Sequence, residues 1–381
     1  MSEDIKVIQF GEGNFLRCFI DWMVQKMNTS AGFNGKVRIV QPIGEELSVP
    51  SKLLNARNGR YHTCLRGVMD GQQVETLEEI TCVDGVSMPD DLERLAVIPS
   101  VRFIVSNTTE AGIEYVKGAD TFPAKVLRLL KARFAAGLPG LVFIPCELIE
   151  HNGDALKKCV LQYAADDGAA ELADWIAREC VFCSTLVDRI VAGRPDAESA
   201  ARYAQQLGEQ DDVLVCGEPF HFFVIETPDG FDLEAEFPLA KAGVNVVYTP
   251  DMQPYRTRKV RFLNAAHTTL VYWALERGFE EVAQVVNDPE GNAFLRKVLF
   301  EEIFPTVALP DEEKKAYAAS VIERFTNPFA HHKLASIALN TIAKWKTRCL
   351  PVVCDYYRLT GRFPEAMMAG YEAIARHYDK A

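Results

Sequence analysis

Long apolar runs are missing from the 381-residue sequence. None approaches the roughly 20 residues needed to cross a bilayer, which argues against a transmembrane helix. No secretory leader is predicted either. The opening MSEDIKVIQF has no basic start, no long apolar stretch and no small-residue cleavage site, so a cytoplasmic protein is expected. Positive charge is in short supply: 41 lysines and arginines against 53 acidic residues leave a net charge of −12. Such a field disfavours nucleic acid and anionic membrane as partners, but says nothing about one small basic pocket. Paired cysteine spacing is nearly absent. The ten cysteines are scattered through apolar contexts and read as reduced core thiols. The single CxxC, Cys180 to Cys183, has no second pair for zinc and no strand leading into it, so no metal or redox site is expected. Internal repeats and low-complexity stretches are also lacking.

What remains is an ordinary globular composition, 48% hydrophobic and 25% charged, of a length that suits two domains. The N-terminal half alternates strand-like segments (5–10, 37–42, 101–107 and 140–145) with helical stretches (14–28, 123–136 and 155–165). That alternation predicts βαβ units and a mostly parallel sheet. Residues 65–83 read as an inserted hairpin turning at Asp70-Gly71. Short strands follow in FHFFVIE and NVVYT. Beyond Tyr255 the period becomes helical. The expected architecture is an α/β domain over residues 1–254 and a mainly helical substrate domain over 255–381, with ligands in a cleft between them.

The first strand runs into Gly11-Glu12-Gly13-Asn14-Phe15-Leu16-Arg17. A GxG turn between strand and helix fits a Rossmann-like, doubly wound domain. Gly11 permits the tight turn, and Gly13 lets backbone approach a pyrophosphate at the helix N-terminus. Asn14, Phe15 and Arg17 join the candidate cofactor contacts. The third fingerprint position is Leu16 rather than glycine, so a plain βα turn is the other reading. The second strand ends in Val40, Gln41 and Pro42, without the carboxylate that reads a ribose. NAD is expected, and NADP is not excluded. Arg38 reads as an exposed strand residue rather than a phosphate contact. Asn107 and Thr108, at the end of a later strand, are candidates for ribose or nicotinamide contact. The other reading makes Thr108 or Thr109 a helix N-cap with Glu110 in the first turn.

The stretch RKVRFLNAAH holds the most chemistry. On a regular α-helix, Lys259, Asn264 and His267 project at about 0°, 140° and 80°, on one broad face. Polar groups on an otherwise apolar helix are costly to bury without partners. The trio suits carbonyl reduction. A lysine of lowered pKa can protonate the nascent alkoxide, helped by Arg258 and Arg261; Asn264 can donate to the oxyanion and His267 to a hydroxyl. The plainer alternative is a surface lysine and a satisfied core histidine.

With KxxxxNxxH following GxGxFxR, the sequence resembles the polyol-specific long-chain dehydrogenases, the mannitol dehydrogenase family. The resemblance runs in order through QFGEGNFLR, SNTTEAGI, PCELIEHNGDAL, FCSTLVDRIV, RKVRFLNAAHTTLV and RFTNPFAHHKLASIALNTIAKWKTRCLP, covering nearly the whole chain. It implies an NAD(P)-linked oxidoreductase with Lys259, Asn264 and His267 as catalytic residues and no catalytic metal. Mannitol-type members carry a CDN triplet where this chain has Cys146-Glu147-Leu148, and Asn152 is the nearby substitute. The more similar members continue several dozen residues further, so the final helices of the substrate domain are expected to be absent or rebuilt. A shortened, non-catalytic nucleotide- or sugar-acid-binding relative is therefore a second possibility. The expected partner is a small sugar acid, a ketohexuronate reduced to an aldonate. A neutral polyol is the alternative. A carboxylate needs cations, and His332, Lys344, Lys346 and Arg348 lie in one helical region; Lys344 and Arg348 share a face. The bland alternative is a solvated exterior. Glu147 and Glu218 sit in apolar settings and either orient Lys259 or cap local turns. Asp188-Arg189 reads as a structural ion pair or domain contact.

Overall fold

The computed structural model describes residues 4–69, 71–109 and 111–379. The chain divides into two compact units, Met1–Leu65 with Glu75–Met252, and Arg66–Val74 with Gln253–Ala381. A purely linear boundary near Pro254 would leave Arg66–Val74 with the first unit. These residues instead cluster with the second.

The first unit is α/β. Thirteen strands are described in it and its hairpin: β1 Ile5–Phe10, β2 Lys36–Val40, β3 Tyr61–Met69, β4 Gln72–Ile80, β5 Val83–Ser87, β6 Phe103–Ser106, β7 Val142–Pro145, β8 Val181–Phe182, β9 Ser184–Asp188, β10 Val191–Gly193, β11 Val215–Gly217, β12 Phe222–Glu226 and β13 Val246–Thr249. Six form one sheet in the order β5-β2-β1-β6-β7-β8, and every neighbouring pair is parallel. The order reverses between β1 and β6, the switch point where doubly wound folds place their ligands.

The strands are apolar on both faces because helices cover both. Val7 and Ile39 join one core with Phe19, Trp22 and Met23; Ile8, Phe10 and Ile104 join the other with Leu129 and Leu130. Gln9 shares the face of Val7 and is the fully buried polar residue of β1. Two smaller sheets, β10-β11-β3-β4 and β13-β12-β9, complete the unit. β3 and β4 are the two arms of the expected hairpin, which starts earlier, at Tyr61, and ends earlier, at Ile80, than the 65–83 expected. Asp70 at its turn lies outside the described residues.

In the second unit, described elements beyond the hairpin tip are helical. The main helices span Gln253–Leu275, Asp311–Phe325, Thr341–Thr360 and Glu365–Tyr378. Ala266 to Ala274 is buried on every side, which makes it the central helix of this unit. No helix among the described residues is long and apolar enough to cross a membrane.

Candidate active site

The glycine turn forms at the end of β1. Gly11 has φ +118°, and a Cβ there would lie 3.1 Å from the Asn107 carbonyl oxygen. Both facts demand glycine for internal reasons. Gly13 differs. Its φ is −64°, it is exposed, and a Cβ would meet nothing within 4 Å. The protein itself does not need a glycine there, so open space at the start of the helix beginning at Asn14 fits a dinucleotide's phosphates.

Other candidates of this unit are committed inward. Arg17 is buried, and its guanidinium donates to Asn14 Oδ1 (2.7 Å), Glu12 O (3.2 Å) and Val213 O (2.5 Å). It braces the turn rather than reaching for a cofactor. Asn14 accepts that bond, and Phe15 stacks on Phe19 at 5.1 Å. Asn107 Nδ2 donates to Cys146 O at 2.7 Å. Thr108 gives both its backbone N–H (2.9 Å) and its hydroxyl (3.0 Å) to Glu147. Among the described residues no helix starts here. The next begins at Phe122 behind Thr121, so the N-cap expectation for Thr108 or Thr109 fails, and Glu110 lies outside the described residues. Thr109 instead holds φ +91°, strain of the kind that gathers at ligand sites.

Glu147 also accepts from Ser106 Oγ at 3.0 Å, and burial pushes its carboxyl up. It caps the turn. Glu218 likewise accepts from the Ile190 N–H at 2.6 Å. Asn152, the expected substitute oxyanion donor, is wholly buried. Its Nδ2 donates to the carbonyls of Pro145 and Glu147, both at 3.0 Å, and its Oδ1 accepts from Thr185 N at 2.8 Å. That amide ties together three backbone segments, so its assignment to substrate is corrected. Arg38 is not exposed: it pairs with Asp84 at 3.1 Å and donates to Ser87. Arg189 stacks on Trp22 at 4.3 Å and donates to the carbonyls of Cys18, Pro219 and Phe220. Cys180 and Cys183 are free, buried thiols whose pKa burial pushes up to about 11 and about 12.

The second unit carries the Lys–Asn–His helix, and it is not a regular α-helix. Lys259–Ala265 is a π-helical turn between α-helical Gln253–Arg258 and Ala266–Leu275. Its i→i+5 pattern sets Asn264 one widened turn above Lys259, whereas regular α geometry would hold them about 140° apart. His267 follows three residues on, in the α-helix. Asn264 is half-buried, and the buried His267 Nε2 makes no hydrogen bond among the described residues. Arg258 and Arg261, expected to help Lys259, also have contacts of their own. Arg261 pairs with Asp355, and Arg258 lies over the Tyr317 ring at 4.3 Å.

Around His267 the chain gathers cations. The imidazole stacks on Phe325 at 4.0 Å and meets His332 edge-on at 4.7 Å. Burial first, then His332, Arg324, Arg348 and Lys344, hold its pKa well below the ordinary value, so it stays neutral. His332 is lowered by burial and Arg324, and Lys344 by burial and Arg348. His332, Lys344 and Arg348 thus converge, while Lys346 is exposed and lines a separate apolar groove with Trp345 and Phe363. Arg324, buried in the last turn of Asp311–Phe325, is the cation that sequence reasoning missed. It opens the RFTNPFAHH stretch, which was the available signal. Asn327, in the same stretch, donates to Arg66 O at 3.2 Å and pins the hairpin tip within this unit.

A parallel sheet of this order with a glycine turn at its switch point is the frame of a dinucleotide-linked dehydrogenase. Residues 5–236 match the mannitol dehydrogenase Rossmann domain and residues 251–380 the mannitol dehydrogenase C-terminal domain. The chain is an oxidoreductase and belongs to the mannitol dehydrogenase family. Altronate oxidoreductases of Enterobacter sp. (strain 638) and Bacillus subtilis (strain 168) are each 41% identical to it. The alignments cover 98% of this chain and 80% and 79% of theirs. Among solved structures, D-sorbitol dehydrogenase in substrate-free form is 26% identical with a TM-score of 0.79, over 92% of this chain and 76% of that one. The Pseudomonas fluorescens mannitol 2-dehydrogenase, a ternary complex with NAD and D-mannitol, shares the fold: TM-score 0.75, 23% identity, 97% of this chain and 78% of that one.

Proposed function

We propose that this chain interconverts the ketohexuronate tagaturonate and the aldonate altronate with NAD as cofactor. The observation that carries the reading is the set of cations, Arg324, Lys344 and Arg348, around His267 and His332, two imidazoles held below the ordinary histidine pKa, on the unit that also holds Lys259 and Asn264. A neutral polyol has no use for such a cluster, and a carboxylate does. The altronate oxidoreductases among the relatives agree with it. NAD is favoured over NADP because Arg38 of β2 is engaged by Asp84 and Ser87.

A bound nicotinamide supplies or accepts the hydride at the keto carbon. The residues of this chain handle the oxygen and the charge. Lys259 gives a proton to the keto oxygen in reduction and takes it from the hydroxyl in oxidation. Asn264 donates its amide N–H to the same oxygen while negative charge builds there. His267, kept neutral by burial and the surrounding cations, hydrogen-bonds a substrate hydroxyl without adding charge. Arg348 grips the carboxylate. The test compares tagaturonate, fructuronate and fructose as substrates for NADH oxidation in wild type and Arg348→Ala. Loss of one charge-assisted contact costs about 1.5–3 kcal/mol, so KM for the uronates is expected to rise roughly 10- to 150-fold, with fructose unaffected. Equal effects on uronate and fructose would contradict the clamp. Turnover on fructuronate alone would move the substrate to that epimer.

A further inference from the structure

The widened turn Lys259–Ala265 sets the candidate catalytic groups, and a turn of that kind is rare in a helix. Side chains from outside it meet it at both ends. Arg261 lies inside the turn and sends its guanidinium away from the helix. It donates to Thr306 O, in the short turn Phe304–Thr306, and pairs with Asp355 of the helix Leu350–Thr360, both at 2.5 Å. Arg261 and Asp355 are both partly buried. Toward the other end, the Thr268 hydroxyl donates to Asn264 O at 2.9 Å. The Cys349 thiol, in a second π-helical turn Trp345–Cys349, donates to Ala265 O at 3.6 Å. A thiol is a weak donor, whereas the contacts of Arg261 are charge-assisted and strong.

These contacts bear on the winding of the segment. A regular α-helix turns about 100° per residue. A widened turn covers less per residue, so holding position 261 from one side and the carbonyls of Asn264 and Ala265 from another fixes how far the chain winds between them. Closing the segment to regular α geometry would set Asn264 about 140° from Lys259. It would also pull Arg261 away from Asp355 and Thr306. Asp355 meets Arg358 as well, at 2.9 Å, but that pair is exposed and lies within its own helix, so it contributes little.

We propose that Arg261 and Asp355 are positioning residues: their ion pair holds the widened turn open and thereby keeps Lys259 and Asn264 in one-turn register. This rests on the catalytic reading of Lys259 and Asn264 above. Asp355 lies nearly a hundred residues from Lys259 in sequence and acts on the chemistry through Arg261 alone.

The experiment follows NADH oxidation on tagaturonate by the full chain. In Asp355→Ala, kcat is expected to fall at least about tenfold, because small misplacements of reacting groups are costly, with KM and the Kd for NADH within about twofold of wild type. Amide hydrogen exchange over residues 259–266 should quicken in the same variant. Combined with Asn264→Ala, Asp355→Ala should cost less than the product of the two single losses, since both act through one turn; a contact that only stabilises the fold would multiply. Arg261→Lys keeps the charge near Lys259 but loses the fork that meets two partners. Its kcat is expected to fall while the basic limb of the pH profile stays in place. Arg358→Ala, which spares the Arg261 anchor, should keep wild-type kcat. If Asp355→Ala does not fold, Arg261→Lys decides. Wild-type kcat in Asp355→Ala or Arg261→Lys, unchanged exchange over the turn, multiplying losses in the double variant, or an Arg358→Ala loss as large as that of Asp355→Ala would overturn the proposal. Absence of turnover in wild type would instead overturn the catalytic reading, and this inference with it.

Discussion

Two glycines two positions apart, Gly11 and Gly13, make the residue-scale case. Gly11 is required by the chain itself, since its φ of +118° and the nearby Asn107 carbonyl exclude a side chain. Gly11→Ala is expected to lower folding stability by about 1–3 kcal/mol, read as a shift of the urea midpoint. Gly13 has open space, so Gly13→Ala should leave that midpoint unchanged and weaken NADH on the order of tenfold, or about 1.4 kcal/mol. If both variants lose stability and neither loses affinity, the turn is structural and the phosphate assignment is wrong. The same contrast explains where residue identities misled. Arg17 and Asn152 carry groups suited to ligands, yet both spend them on backbone carbonyls. Nothing in a linear sequence distinguishes an amide that awaits a substrate from one that ties a turn. His267 is the opposite case, with a buried ring nitrogen that makes no hydrogen bond among the described residues.

At the scale of elements, the π-helical turn Lys259–Ala265 sets the spacing of the candidate catalytic groups. Inserting one alanine after Val260 adds about 100° of rotation between Lys259 and Asn264 and breaks that one-turn register. Far-UV circular dichroism is expected to stay at the wild-type level while kcat drops by at least about a hundredfold. Retained activity would mean that the widened turn is incidental. This feature was illegible because apolar periodicity averages over several turns and does not register one inserted residue. The strands were legible for the converse reason. IKVIQF, VRFIVSN and GLVFIP are compact apolar runs bounded by turn residues, and each forms a parallel strand. The allegiance of Arg66–Val74 to the second unit rests on long-range contacts such as Asn327 to Arg66, and Gly71 N–H to Glu323 at 3.1 Å. Separations of more than 250 residues leave no local pattern. Arg324 escaped notice for a related reason: it sits in a helix with ordinary charged neighbours, and only folding sets it beside His267.

For the molecule as a whole, charge and titration set the working conditions. A net charge of −12 coexists with a local concentration of cations near His267, the kind of local field that attracts an anion. Stability carries a signature of Asp21. Its carboxyl is raised from 3.8 to about 7 in the folded state. Between about pH 4 and 7 the native protein keeps a proton that the unfolded chain has lost, so this group's contribution falls as pH rises through that window and is flat above it. The urea midpoint of Asp21→Asn relative to wild type should therefore increase from pH 5 to pH 8. A constant difference would show that Asp21 is ionised in the native state throughout.

The most direct test of the central claim is NADH oxidation on tagaturonate by the purified chain beside Lys259→Ala. The account expects wild-type turnover and a fall in kcat of about 10²- to 10⁴-fold in the variant, with NADH binding unchanged. Equal turnover in both proteins, or none in wild type while NADH still binds, would contradict it.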